Sequence, residues 1–231
     1  MLGEDDRLKD EKAEYINHPY QLKECIMYGS LFEKHMADFE NRLAGICDPG
    51  CTDFNEHEMN FSLRTQNPYD SDVTLRLRRK FNSDPSSSNQ WRFRYIGRPE
   101  PDPTSPALVR KVVDSVAHSY NMMEFVKNLG LRMDYEFIAK GKVWTCSNIK
   151  VVVSSIRKTR NPGVYDPSTL EKISESYQVE ISVTIPDSVD YQPHAKMLKS
   201  FADQLFPLVE MQKCDTMFSA SRSMDHRAPR V

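Results

Sequence analysis

Apolar and polar residues alternate along several segments of the chain, a pattern typical of β-strands that bury one face. The clearest case is residues 177–185, in which every second side chain from Tyr177 to Ile185 is apolar. Three segments between residues 56 and 97 alternate in the same way, and stretches rich in Asn, Asp, Ser or Pro separate them. Because such stretches favour turns between neighbouring strands, we predict that these three strands pair antiparallel as a meander.

Helical spacing marks three other segments. Residues 30–46 predict the first helix, with Ser30 and Glu33 as a capping box at its start. Large apolar residues recur along one face of this helix: Phe32, Met36, Phe39 and Leu43. This face predicts packing against the domain's own core, and it also makes these residues candidates for contact with a partner protein. Residues 121–129 and 193–205 predict two further helices.

The stretch of residues 121–153 shows the sharpest change of period. Its helix begins with a second candidate capping box at Asn121 and ends at Gly130. The helix places a set of apolar residues on one face: Met122, Phe125, Val126 and Leu129. Strand-like alternation follows, and Lys140 with Gly141 offers a reversal of the chain. We therefore predict a helix that leads into a β-hairpin.

Many strands, few helices and turns suited to antiparallel pairing favour a sheet that closes on itself. We predict a mainly β fold, a single antiparallel β-barrel with helices packed outside it or across an end. Residues 20–215 form this domain. Residues 1–19 are a disordered or loosely attached arm and residues 216–231 a disordered tail, because neither has periodicity or a core-building composition.

Composition narrows the class of protein. The 231 residues carry a formal charge of −2, so the whole molecule lacks the basic field of a dedicated nucleic-acid binder. The mean hydropathy is −0.61. No apolar run approaches the roughly 20 residues that cross a bilayer. We expect a soluble, intracellular protein with no membrane association.

The cysteines and known catalytic motifs predict neither a metal nor a cofactor. The five cysteines are scattered, and Cys47 and Cys51 with the following His57 lack the second pair that would complete a zinc site. Reduced thiols are the expectation. The chain also has no glycine-rich phosphate loop, no nucleophile elbow and no HExxH motif. We nominate no catalytic residue and predict that the protein is not an enzyme.

Charged residues on alternate strand positions are the main candidate for chemistry. They are Glu56, Glu58, Arg76, Arg78, Arg92, Arg94, Glu136 and Glu180. Inside a barrel they could hold a divalent metal and a phosphate chain, as in the triphosphate tunnel enzymes. Those enzymes carry Glu-x-Glu-x-Lys on their first strand, whereas Asn60 stands at the lysine position here. We favour solvated strand faces with cross-strand ion pairs.

Two alternatives therefore stay open beside a binding protein. One is a metal-dependent phosphohydrolase of the tunnel type, and the other is a nucleic-acid-binding barrel that uses the arginine-rich strand face. An acidic protein partner or a plain polar face accounts for the same charges. The arginines offered as candidates for partner contact are Arg76, Arg78, Arg92 and Arg94.

Several segments resemble one family in a consistent order along the chain. The most specific is GLRMDYEFIAKG at residues 130–141. The others lie at residues 29–31, 42–48, 57–59, 75–79, 94–100, 107–110, 176–180 and 201–205. Together they resemble subunit 18 of Mediator, the multiprotein coactivator that joins transcription regulators to RNA polymerase II.

The resemblance implies a nuclear, non-catalytic docking subunit of the Mediator head module. It implies an antiparallel barrel akin to the triphosphate tunnel fold, paired as a heterodimer with the similar barrel of subunit 20 and tethered by a helix of subunit 8. Contact with the RNA polymerase II machinery would be indirect, and we do not expect direct binding to nucleic acid. No short family motif marks the residues that touch each partner.

Overall fold

The computed structural model describes residues 21–63, 73–81, 89–159 and 166–214. The described strands are β1 (Leu22–Phe32), β2 (Thr52–Leu63), β3 (Val73–Lys80), β4 (Gln90–Pro99), β5 (Leu108–His118), β6 (Arg132–Cys146), β7 (Ile149–Thr159), β8 (Leu170–Lys172) and β9 (Ser176–Pro186). The described helices are α1 (Met36–Ile46), α2 (Met122–Asn128) and α3 (Gln192–Leu205). The predicted turns at residues 64–72 and 82–88, most of the loop after β7, the arm at residues 1–19 and the tail at residues 216–231 lie outside the described residues.

Eight of the strands close into an antiparallel barrel. Around the ring they follow the order β6-β2-β3-β4-β5-β1-β9-β7, and β7 pairs back with β6 to complete it. The predicted β2-β3-β4 meander is confirmed, because β3 pairs antiparallel with both of its neighbours in sequence. The short strand β8 adds to β7 outside the ring. The predicted fold class is therefore confirmed.

The apolar face of the barrel wall points outward and is covered by helices. Helices α1 and α3 pack on the outer face of β1, β7 and β9, where Phe39, Leu43 and Leu198 are fully buried. Helix α2 covers a second apolar cluster on β2, β3 and β4 with Met122 and Val126. Each large side chain buried in this way contributes about 1.5–3 kcal/mol. The main core therefore lies between barrel and helices.

The polar face of the wall points into the barrel, so the expectation of solvated polar strand faces is wrong. Glu58, Asn60 and Arg76 are at most 9% exposed although they belong to the polar sets of their strands. Alternation along a strand separates two faces but does not say which one faces water. Here the helices cover most of the apolar side, although Tyr95 on β4 and Val113 on β5 stay 39% and 41% exposed. Closure of the ring shields the polar side.

Strand β1 is longer than predicted, and the first helix begins later. The strand continues through Gly29 to Phe32, and Ser30 lies opposite Gln178 in the β1–β9 ladder. A short 3-10 turn, Glu33–His35, leads into α1 at Met36, and no side chain caps either element. The predicted capping box at Ser30 is therefore wrong, because pairing with β9 keeps this residue extended.

The predicted hairpin turn at Lys140 and Gly141 is also wrong. Strand β6 passes straight through both residues, and the reversal falls after Cys146, where Ser147 adopts a φ of 57°. Gly141 serves another purpose, since a Cβ at this position would lie 1.9 Å from the carbonyl oxygen of Val153 on β7. The glycine allows the close approach of the two strands that close the ring.

Candidate functional site: the charged barrel interior

A cavity of about 780 Å³ occupies the barrel interior. Seven of the eight ring strands line it, because every second residue of each strand points inward. Its charged and hydrogen-bonding lining includes Tyr28, Glu58, Arg76, Arg78, Arg92, Lys150, Gln178 and Glu180. The structure thus brings together arginines that lie far apart in the sequence.

Glu58 is the centre of the first interior cluster. It lies directly opposite Arg78 in the β2–β3 ladder, and its carboxylate is 2.6 Å from Arg78 Nε and 2.9 Å from Arg76 Nε. The amide of Asn60 donates a hydrogen bond of 3.3 Å to the same group. Burial alone would raise the pKa of Glu58, but the two guanidinium charges and the hydrogen bonds outweigh it and lower that pKa.

Glu24 on β1 is the centre of the second interior cluster. It accepts a hydrogen bond of 2.8 Å from Arg94 and lies 3.8 Å from Nε of Arg110. Arg94 also donates two hydrogen bonds to Asp114, and Arg110 donates one of 2.9 Å to the hydroxyl of Tyr28. Burial, and then the charge of nearby Glu180, raise the pKa of Tyr28 to about 12, so its hydroxyl stays protonated.

The interior charges become more exposed toward one end of the barrel. The side chain of Arg92 is 66% exposed and is paired with Glu56 at 3.1 Å. Lys80 and Lys150 are exposed at the same opening. This opening, defined by Arg92, Lys80 and Lys150, is called the basic mouth below.

Glu136 does not join the interior charges, contrary to the expectation from alternation. It lies 3.0 Å from Nε2 of His57, which is 1% exposed. Burial, reinforced by the charge of Arg79, lowers the pKa of His57, although Glu136 opposes this shift. Arg79 itself stacks with its guanidinium 5.0 Å from the ring of Trp91. His57 is thus a buried structural residue.

Some of the candidate partner-contact residues are exposed in the structure and others are buried. Phe32 is 65% exposed, whereas Met36 is partly buried and Phe39 and Leu43 are fully buried. The face of α1 therefore packs in the chain's own core, and Phe39 and Leu43 are closed to a partner. Among the arginines, Arg76, Arg78 and Arg94 face the barrel interior, and Arg92 lies at the basic mouth.

An apolar surface that sequence reasoning missed lies on the outside of α2. Met123, Phe125 and Leu129 are 42%, 52% and 51% exposed, and Met133 at the start of β6 is 48% exposed. The sequence predicts one apolar face that Phe125 and Leu129 share with Met122 and Val126, whereas in the structure only Met122 and Val126 are buried. The sequence does indicate this surface, because the short helix carries apolar residues on more than one side. Such a helix is typically covered on both sides, by its own domain and by a partner.

The described residues do not form a site that could bind a metal ion. No group of three or more His, Cys, Asp or Glu side chains in this part of the chain could hold a metal ion. Cys51 is exposed, and His57 is engaged with Glu136 inside the wall. None of the described helices is long and apolar enough to cross a membrane.

Comparison with known proteins places the chain in a family. The family model described as Med18 protein matches residues 23–227. Subunit 18 of the Mediator of RNA polymerase II transcription from Caenorhabditis elegans is 49% identical over 89% of this chain and 88% of its own length. The Danio rerio subunit 18 is 39% identical over 84% and 89%.

The fold agrees with these matches. A chain in the structure of the Schizosaccharomyces pombe Mediator head module superimposes with a TM-score of 0.68 at 17% identity, over 83% of this chain and 98% of that one. The relatives are named as transcription-complex subunits and not as enzymes, which confirms the prediction of a non-enzymatic protein. The chain belongs to the Med18 family, subunit 18 of Mediator.

Proposed function

We propose that this Mediator subunit is a nuclear docking scaffold of the head module that couples transcription regulators to RNA polymerase II. The observation that carries the proposal is the 49% identity to the C. elegans subunit over nearly nine-tenths of both chains. Identity at this level over most of both chains indicates a shared fold and supports a shared role in the same complex.

The architecture suits a scaffold. Each of the eight ring strands is hydrogen-bonded on both sides, so the ring has no open edge and its wall is rigid. A rigid wall presents docking residues without the loss of conformational entropy that a mobile surface incurs on binding. The exposed apolar residues on α2 and at Phe32 give that wall two places where a partner can bury hydrophobic area.

The proposed partners are Mediator subunit 20, as a heterodimeric barrel, and a helix of Mediator subunit 8. Family membership supports this choice, because members of one complex keep their neighbours. We propose that Phe32 contributes to one of these contacts. It lies at one end of the β1–β9 ladder, beside the ion pair of Glu33 and Lys172. An aromatic residue with a polar rim is a common composition of an interface anchor.

Reconstitution with purified subunits 8 and 20 tests this function. The full chain should co-elute with both in size-exclusion chromatography, at a mass equal to the sum of the three chains. Phe32→Asp should weaken the complex at least tenfold, because it places a charge in an apolar contact. Val189→Asp is the control, since Val189 follows the opposite end of the β1–β9 ladder and is 38% exposed. A chain that elutes alone would refute the proposed partners.

A further inference from the structure

Four arginines and three glutamates lie at the centre of the barrel interior. One of these glutamates, Glu180, lines the cavity, and its charge acts on Arg78. Glu58 is shared by two arginines, Arg76 and Arg78. Glu24 is likewise shared by Arg94 and Arg110. Asp114 also pairs with Arg94 through two hydrogen bonds of 2.7 and 2.8 Å, although its side chain is 48% exposed. The centre is therefore close to neutral, and the surplus of positive charge along the cavity comes from the lysines at its mouth.

One of the central arginines, Arg76, has a buried donor without a hydrogen-bond partner. The residue is 9% exposed, and its Nε forms no hydrogen bond even though Glu58 is 2.9 Å away. Among the described residues, Glu58 is its one charged partner, and Glu58 must also serve Arg78. A guanidinium group has five N–H donors in a planar fork. The buried Nε of Arg76 is therefore a donor that a ligand in the cavity can satisfy.

The basic mouth provides an entry path with the same sign of charge. Lys80 and Lys150 are exposed and have no carboxylate partner within the described part of the chain. Across the whole lining the cavity has six basic and four acidic side chains. Two of those acids, Glu56 and Glu58, are already paired with arginines. Charge of one sign along the path into a closed barrel concentrates anions at its entrance.

The cavity has the size and donors for a small, highly charged ligand. Its volume of about 780 Å³ lies within the usual range of ligand pockets. Besides the arginines, the hydroxyl of Tyr28 and the amide of Gln178 line it as neutral donors. Guanidinium groups bind both carboxylate and phosphate oxygens through paired hydrogen bonds. A multivalent phosphate carries more negative charge than a single carboxylate, so several basic side chains around one cavity favour the phosphate.

We propose that the barrel interior binds a small multivalent phosphate anion, an inorganic polyphosphate or the triphosphate of a nucleotide, without a metal ion and without turnover. Metal-free binding follows from the donors present, since the described residues contain no group of metal ligands. Binding also leaves the outer wall free, so this site is independent of partner docking.

Titration calorimetry of the full chain with tripolyphosphate tests the site, in EDTA and at an ionic strength of about 150 mM. We expect saturable binding of one anion per chain and a melting temperature that rises with anion concentration. Arg92→Gln and Lys150→Gln should each weaken binding about tenfold, because each removes a charge at the mouth and Arg92→Gln also leaves Glu56 unpaired. Both positions are exposed, so these variants fold.

Lys196→Gln is the matched control, because Lys196 is exposed on α3 and is absent from the cavity lining. It should leave the dissociation constant unchanged. A parallel titration with ATP distinguishes inorganic polyphosphate from a nucleotide as the ligand. Equal affinity for ATP and tripolyphosphate means that only the phosphate chain is recognised. Tighter binding of ATP means that the rest of the nucleotide also contributes. Equal weakening by Lys196→Gln would overturn the proposal, as would tighter binding of a single-stranded oligonucleotide or no binding at about 1 mM anion.

Discussion

Removal of the charge on Glu58 tests the most unusual feature of the barrel, its buried ion network. Glu58→Gln keeps the size of the side chain but leaves Arg76 and Arg78 without their shared counter-charge. The carboxylate is 7% exposed and lies within 3 Å of both guanidinium groups. Loss of one partner from a buried pair costs about 3–5 kcal/mol, because the remaining charge is desolvated and uncompensated.

Urea denaturation, followed by far-UV circular dichroism, measures the free energy of unfolding and therefore the loss of stability in Glu58→Gln. We expect Glu58→Gln to lower it by about 3 kcal/mol at neutral pH. Glu33→Gln is the matched control, because Glu33 forms an ion pair of similar length with Lys172 at the surface. Solvent and salt screen that exposed pair, so the control should leave the stability nearly unchanged. Equal stability changes in the two variants would refute the buried network.

The pH dependence supplies a second arm of the same test. The pKa of Glu58 is lower in the folded than in the unfolded chain, where it is about 4.3. Its contribution to stability is therefore complete above about pH 4.3 and is lost as the pH falls through the folded pKa. The stability difference between wild type and Glu58→Gln should stay constant from neutral pH to about 5 and shrink below about 4.3. A difference that grows on acidification would contradict this linkage.

Two further variants and one chemical probe test other parts of the structure. Gly141→Ala should destabilise the chain by about 3 kcal/mol or more in urea denaturation, because its Cβ would lie 1.9 Å from the Val153 carbonyl oxygen. Gly45→Ala in α1, where the new Cβ meets nothing within 4 Å, should instead stabilise it by about 0.5–1 kcal/mol. In the native protein a thiol reagent should modify exposed Cys51 and spare Cys25, since burial raises the pKa of Cys25 to about 11. Rapid modification of Cys25 without unfolding would contradict its burial.

The strands could be predicted from the sequence because alternation is a local property. Residues 177–185 alternate cleanly, and they form the centre of β9 in the structure. The turn-favouring residues between β2, β3 and β4 predict their antiparallel pairing, which the structure confirms. Closure into a barrel is predicted because an open sheet would leave unpaired edges, and the β6–β7 pairing removes those edges.

The orientation of the two strand faces could not be predicted, because it depends on which elements cover the sheet. Arg76 and Phe39 illustrate the point. The sequence predicts a solvated strand face for Arg76, and for the helix face with Phe39 it predicts packing in the core while keeping partner contact open. In the structure, α1 seals the outer apolar wall with Phe39, and Arg76 is enclosed by the ring. Both outcomes require long-range packing that no local pattern encodes.

Local turn and cap signals failed where strand pairing was stronger. Ser30 and Gly141 each carry a sequence feature that favours interruption of a strand. Both lie instead within continuous ladders, where the backbone hydrogen bonds to β9 and β7 outweigh a single cap or turn preference. Asn121 precedes α2 as expected, but its side chain forms no capping hydrogen bond. Such signals predict the existence of an element better than its first residue.

Affinity purification of the tagged full chain from nuclear extract tests the central claim that this barrel is a structural subunit of Mediator. Mass spectrometry of the eluate should identify subunits 8 and 20 in amounts stoichiometric with the chain, together with other subunits of the complex. Recovery of the chain alone, or with companions that do not include Mediator subunits, would contradict the account.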